Sequence, residues 1–252
     1  LLRSITFRNA AFVLALSENS VRLVEVFADL PATEVAIPNA PDGAAEFLER
    51  DIPNEIQQNP RVQAGAGEKI RLTQYARAVD NALRPILAGR DLPLVLAATQ
   101  PLLSIFKGVC SYPELAEDTI TKSPDRKSAN ELASEARPIL DKLYAEEVER
   151  MKELYDNRVG ASRGTTDLSD AARAATYGAI EALLVDIDEV IHGTVDETTG
   201  AVTLAGKDDA DNYDVIDEVV SRALTSGAMV LGVRRDDIPG GAPLAAILRY
   251  PV

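Results

Sequence analysis

The chain has 252 residues, of which 46% are apolar, so it can form one or two domains with a sizeable core. Its net charge of −14 excludes nucleic-acid binding by bulk attraction, and no stretch is apolar enough to span a membrane. The single cysteine, Cys110, excludes an internal disulfide and fits a reducing cytoplasm, and the single histidine, His192, excludes a two-histidine metal site.

The first predicted elements are short strands. Residues 11–26 predict two strands around a tight turn at Glu18-Asn19, and residues 33–38 predict a third strand that ends at a proline. Such short links favour antiparallel neighbours. Residues 38–67 contain four prolines and three glycines without a steady period, so we expect a long loop there.

Helical spacing begins at Glu68 and continues to about residue 87. Residues 91–99 then predict a buried strand, and residues 100–110 predict a helix. Residues 128–157 predict a long charged helix or helix pair, which Pro138 kinks or divides. The first half is therefore a mixed α/β domain, followed by a helical connector.

The last part predicts a compact α/β/α sandwich. Its elements are a helix from Thr166 or Asp167 to about Tyr177, a strand at 179–186, a hairpin turned at Thr199-Gly200, a helix that ends at Gly227, and strands at 228–233 and 243–250. We expect Asp209 or Asp211 to cap the helix before Gly227.

The glycine-rich residues 63–68, Gln-Ala-Gly-Ala-Gly-Glu, precede the first predicted helix and fit no phosphate-binding motif. A Walker loop needs Gly before its Lys and Ser or Thr after it, whereas Lys69 lies between Glu68 and Ile70. A dinucleotide fingerprint needs a third glycine where Ile70 stands.

Residues 61–90 form a basic island, with six basic and two acidic residues. A local basic face can position phosphates even in an acidic chain. The alternative is a solvated helix face with internal ion pairs. The predicted RNA-contact residues are Arg61, Gln63, Gly65, Gly67, Lys69, Arg71, Arg77 and Arg84.

Residues 186–218 carry eleven acids and one base, Lys207. This excess disfavours RNA there and favours a basic protein partner. The run at 207–218 does not fit a calcium loop, because position six would be Asp214 instead of glycine. His192 has no triad partner in the sequence, so we assign no catalytic residue, no metal ligand and no cofactor.

Four motifs follow one another along the chain, namely FVLALSENSVRLVEV, YARAVDNALRPILAGRDLPLVLAA, ATYGAIEALLVD and GGAPLAAILRY. In this order they resemble bacterial relatives of the archaeal and eukaryotic peptide-chain release factor. The resemblance implies a ribonuclease-H-like mixed-sheet domain at 1–125, a helical connector at 126–160, and an α/β/α sandwich at 161–252 like ribosomal proteins that bind kinked RNA. It also implies an N-terminal domain before Leu1, consistent with a first residue that is not Met.

In true release factors, the segment before the long helix of the middle domain carries Gly-Gly-Gln. The corresponding segment here is residues 63–68, and Gly-Gly-Gln occurs nowhere in the chain. The resemblance therefore implies a non-catalytic cytoplasmic factor that binds the ribosome or tRNA, as in stalled-ribosome rescue or ribosome protection, with no membrane or DNA partner. The alternatives are a residual peptidyl-tRNA hydrolase or metal-dependent nuclease, which would need clustered carboxylates, and a protein–protein scaffold that uses the acidic last domain.

Overall fold

The computed structural model describes residues 10–27, 30–45, 64–205 and 213–251. The chain divides into two compact units, one at Arg8–Lys142 and the other including Leu143–Val252. The boundaries at residues 125 and 160 that the resemblance implies stay predictions. No helix among the described residues is long and apolar enough to cross a membrane.

The first unit is built on a five-stranded sheet with the order β3-β2-β1-β4-β5. The strands are β1 Ala11–Leu16, β2 Val21–Val26, β3 Thr33–Val35, β4 Leu94–Ala97 and β5 Leu115–Ile120. β2 is antiparallel to β1 and β3, whereas β4 is parallel to β1 and β5. This sheet confirms the predicted mixed-sheet α/β class.

Two helices of the first unit are α1, Ala64–Leu87, and α2, Leu102–Val109. Apolar residues of α1 at helical spacing, including Tyr75 and Leu83, pack in one core with Phe12 and Leu14 of β1. β1 is buried along its whole length because it is the central strand, which explains its unbroken apolar sequence. The predicted elements omit β5, because the exposed Glu117 and Asp118 interrupt its apolar pattern.

The predicted loop at 38–67 differs from the structure at its end. α1 begins at Ala64, so Gly65 and Gly67 belong to the first turns of the helix. The sequence pattern alone could not place this start, because glycine is unfavourable in helices by roughly 1 kcal/mol relative to alanine. Residues 46–63, which include Arg61 and Gln63, lie outside the described residues.

The long helix α3, Ala129–Val159, contains Pro138 in its interior and is not divided by it. The side chains on both sides of the proline, Leu132 and Leu140, are buried. Packing of this kind outweighs the loss of one backbone hydrogen bond at a proline.

The second unit contains a four-stranded sheet with the order β11-β7-β12-β6. The strands are β6 Gly164–Thr165, β7 Ile180–Asp186, β11 Met229–Val233 and β12 Leu244–Leu248. Helices α4, Leu168–Thr176, and α5, Val215–Thr225, share one core with one face of the sheet. Val148, Met151 and Tyr155 of α3 pack on the other face, which confirms the predicted sandwich.

A small sheet of the second unit has the order β10-β8-β9, with β8 His192–Val195, β9 Val202–Leu204 and β10 Tyr213–Asp214. β8 and β9 form the predicted hairpin. The predicted cap of α5 at Asp209 or Asp211 is wrong, because Asp214 accepts the hydrogen bond from the Ile216 amide at 3.0 Å. The helix starts later than predicted because β10 pairs with β8 first.

Candidate nucleic-acid interface

The basic residues that are predicted to contact RNA and are described by the structure all lie on α1, and one side of this helix is buried in the core. Successive helical residues are rotated by roughly 100°, so Arg77 and Arg84 fall on nearly the same line of the helix. Both lie away from the stripe that buries Tyr75 and Val79 in the core. Arg71 is rotated by about 120° around the helix axis from Arg77. The cations are therefore spread over the exposed side of α1 and do not form one row.

Three of these cations have no side-chain partner among the described residues. The side chains of Lys69, Arg71 and Arg77 are exposed, and none forms an ion pair or hydrogen bond with the described part of the chain. Their charge is therefore not neutralised by those residues. This favours a phosphate-contacting face over a face of internal ion pairs at these three positions.

Arg84 differs, because it belongs to a bonded network. Its Nε and Nη2 atoms donate to the Oδ2 atom of Asp80 at 3.1 and 2.9 Å, and Nε also lies 3.0 Å from the Ser111 hydroxyl. Asp80 is only 4% exposed, and its carboxylate also accepts the Ser111 amide at 2.8 Å and the Ser111 hydroxyl. The network ties α1 to the segment after α2, so Arg84 has a structural role in addition to the predicted contact role.

A cleft of about 320 Å³ lies beside this network. Arg90 lines it, pairs with Glu25 at 3.3 Å, and lies over the Phe12 ring at 5.5 Å from its centroid. Cys110 also lines it and is half-buried, and burial raises the pKa of its thiol. A raised pKa lowers the fraction of reactive thiolate at neutral pH.

A second network fixes the turn between β1 and β2. The Tyr75 hydroxyl donates to the Ser17 carbonyl at 2.8 Å, and burial raises the pKa of this phenol above its ordinary value. The Ala44 amide donates to the Glu18 carbonyl at 2.7 Å. A Cβ atom on Gly43 would lie 2.9 Å from that same carbonyl oxygen. The sequence pattern did not reveal this anchor, because it joins segments that are distant along the chain.

The acids of residues 186–218 mostly serve local structure where they are described. Five of them form hydrogen bonds nearby. Asp186 accepts from the Asp188 amide, Asp196 from Thr199, and Asp214 from the Ile216 amide. Glu189 accepts from Arg235, and Glu218 accepts from Arg222. Burial raises the pKa of Asp214. Lys207, Asp208, Asp209 and Asp211 lie outside the described residues. The acidic docking face for a basic protein stays a prediction.

Titratable groups do not gather into a metal centre in the part of the chain that the structure describes, where no group of three His, Cys, Asp or Glu side chains could hold an ion. β1 and β4 contain only apolar residues. Asp80 is the buried carboxylate of the described first unit, and Ser111 and Arg84 already occupy it. His192 is half-buried and pairs through its backbone with Asp214.

A family model, described as bacterial archaeo-eukaryotic release factor family 11, matches residues 8–146, which is more than half of the chain. No curated protein sequence matches the chain.

Two solved structures share its fold at 14% sequence identity each. A chain in a model of ribosome-bound archaeal Pelota and ABCE1 has a TM-score of 0.57, with 99% of this chain and 64% of that chain covered. Saccharomyces cerevisiae Dom34, described as a translation termination-like factor involved in RNA quality control pathways, has a TM-score of 0.52, with 96% and 63% covered. This chain therefore spans less than two thirds of either protein's length.

Proposed function

Because the chain belongs to bacterial archaeo-eukaryotic release factor family 11, we propose that it is a cytoplasmic, translation-related factor that binds the ribosome or tRNA. Stalled-ribosome rescue or ribosome protection is the setting that fits this role. The shared fold with archaeal Pelota, which is ribosome-bound in the matching structure, supports the proposal. So does the likeness to Dom34, a termination-like factor of RNA quality control.

The observation that carries the proposal is the set of three exposed cations on α1, Lys69, Arg71 and Arg77. They lie in a chain whose acids outnumber its bases by 40 to 26, yet no described acid neutralises them. Phosphate contacts supply most of the affinity of a factor for RNA, and they need such unpaired cations.

The proposal contains binding and no hydrolytic step. The segment that would hold Gly-Gly-Gln in a release factor reads Gln63 to Glu68, and its described part, from Ala64, is already helical. In this proposal, the N-terminal part of α1 contacts RNA.

The test is co-sedimentation of the intact protein with bacterial ribosomes at low and moderate salt. Arg71→Glu with Arg77→Glu should lower the bound fraction strongly, because each reversal replaces an attraction to phosphate with a repulsion. Arg126→Glu is the matched control for each single reversal, since Arg126 is an exposed arginine of the same unit with no ion pair to the described residues. Ribosome binding that survives the double reversal would show that α1 is not the contact surface.

Arg84 is unsuitable for this test. Arg84→Glu would place a second carboxylate beside the buried Asp80, which Arg84 now neutralises at 2.9 Å. Loss of binding in that variant would report damage to the fold as much as loss of a phosphate contact.

A further inference from the structure

A groove of about 270 Å³ runs between α1 and α2 in the first unit. Its lining consists of Lys69 and Thr73 from α1 and Ser104, Ile105, Gly108 and Val109 from α2. None of these six carries a carboxylate, although the chain as a whole is strongly acidic. Among the described residues, the ammonium group of Lys69 is the one charge that lines the groove, and it has no partner there.

Gly108 is a glycine that the fold itself does not require. It lies in the helical backbone of α2 without a positive φ, and a Cβ atom added there would meet nothing within 4 Å. Alanine would favour the helix by roughly 1 kcal/mol at such a position. What the glycine does provide is an open groove wall, because a longer side chain would extend into the space beside Ile105.

The α1 side of the groove continues onto the exposed surface. Lys69, Thr73 and Arg77 follow at intervals of four residues, so they lie on one side of the helix about 6 Å apart along its axis. The Thr73 hydroxyl donates to the Lys69 carbonyl at 2.7 Å, and the Ser104 hydroxyl donates to Gln100 at 2.8 Å. Both hydroxyl oxygens therefore keep lone pairs that can accept a hydrogen bond from a ligand.

We propose that this groove binds the backbone of a single-stranded RNA segment, an inference that rests on the proposed function. A phosphate pairs with Lys69, the ribose lies against Gly108 and Ile105, and its 2′-hydroxyl donates to Thr73 or Ser104. Charge complementarity favours this occupant, because the groove offers a cation and no acid lines it among the described residues. The 2′-hydroxyl is the group by which a protein distinguishes RNA from DNA at one site.

The first test measures the affinity of the intact protein for fluorescent single-stranded RNA and DNA of the same sequence. Gly108→Leu should weaken RNA binding at least tenfold, because its side chain extends into the groove. It should preserve thermal stability, because a Cβ atom at this position would meet nothing within 4 Å. Thr73→Val with Ser104→Ala should weaken RNA binding and leave DNA binding unchanged. Gly160→Leu is the matched control, since Gly160 also has open space and no positive φ but lies in the other unit.

The outcomes separate this inference from the proposed function. If Gly108→Leu leaves the RNA affinity unchanged, the groove is not the RNA site, even if reversal of Arg71 and Arg77 abolishes ribosome binding. Absence of RNA binding by the unchanged protein overturns it equally. If neither the groove variants nor the reversals change ribosome binding, the proposed contact surface fails as well.

A cross-link identifies the occupant directly. Cys110 is the only cysteine of the chain, so Cys110→Ser with Gln74→Cys gives a single attachment point for a photo-crosslinker, at an exposed position of α1 next to Thr73 that does not line the groove. In the ribosome complex, the label should attach to RNA. Attachment to a ribosomal protein alone would overturn RNA as the occupant.

Discussion

Removal of the Asp80 carboxylate should destabilise the first unit more than removal of either partner of its network. In Asp80→Ala, the Ser111 amide and hydroxyl lose an acceptor that lies at 2.8 to 3.0 Å in a site where Asp80 is 4% exposed. The lost hydrogen bond of the Ser111 amide contributes about 1.5–3 kcal/mol because its acceptor is charged, whereas the hydroxyl of the exposed Ser111 can donate to water instead. The Arg84 ion pair adds about 0.5–1 kcal/mol, because the arginine side chain is 60% exposed and solvent screens the pair.

The expected loss in Asp80→Ala is therefore about 2–4 kcal/mol in the free energy of unfolding of the first unit. Arg84→Ala should lose about 0.5–1 kcal/mol and Ser111→Ala about 1 kcal/mol, since each removes only part of the network. Urea unfolding measures all three losses. Hydrogen exchange of the Ser111 amide measures the local effect separately, because this amide loses its acceptor in Asp80→Ala.

The prediction is that Asp80→Ala lowers the free energy of unfolding more than either Arg84→Ala or Ser111→Ala does. If Arg84→Ala costs as much as Asp80→Ala, the exposed ion pair is the main stabilising interaction and the buried acceptor is not. If Asp80→Ala costs less than about 1 kcal/mol, the network does not hold α1 to the segment after α2.

Three further predictions concern other anchors of the fold. Gly43→Ala should lower the free energy of unfolding by about 1–3 kcal/mol, because its methyl group would lie 2.9 Å from the backbone oxygen of Glu18, and a thermal melt checks this loss. Tyr75→Phe should lower it by about 1 kcal/mol, seen as a reduced urea midpoint with an unchanged slope, and a gain in stability would contradict the role of its buried hydroxyl. The pKa of Asp196 lies below its ordinary value of 3.8, because the amide and hydroxyl of Thr199 donate to the carboxylate. The hairpin therefore keeps this stabilisation above pH 3.8 and loses it as the pH falls through the lower pKa of Asp196 in the folded protein. The protection of the Thr199 amide against exchange, relative to its intrinsic rate at each pH, should fall over that acidic range in the native protein and not in Asp196→Asn.

Much of the fold could be predicted because single local patterns determine it. The unbroken apolar run of β1 marks a central strand, and the helical stripe of α1 marks the face that packs against it. The elements that escaped prediction depend on partners elsewhere in the chain. β5 is a strand because it pairs with β4, and Asp214 caps α5 because β10 first joins β8.

The candidate site shows the same limit. The sequence identifies the basic residues of α1 but cannot show which of them are already occupied. Arg77 and Arg84 are equivalent in the pattern, seven residues apart. Among the described residues, only Arg84 pairs with an acid one turn earlier on α1, Asp80, and meets a hydroxyl from another part of the unit, that of Ser111. The contribution of Gly108 depends on the packing of α2 against α1, which no local pattern reveals.

The central claim, that α1 contacts RNA phosphates, is tested most directly by the salt dependence of ribosome binding. The measurement compares the intact protein with a variant in which Lys69, Arg71 and Arg77 are all alanine. Each lost phosphate contact reduces the slope of log affinity against log salt by roughly one, so the account predicts a slope shallower by about three. An unchanged slope, with weaker or equal binding, would contradict the claim, because the three side chains would then displace no counterions on binding.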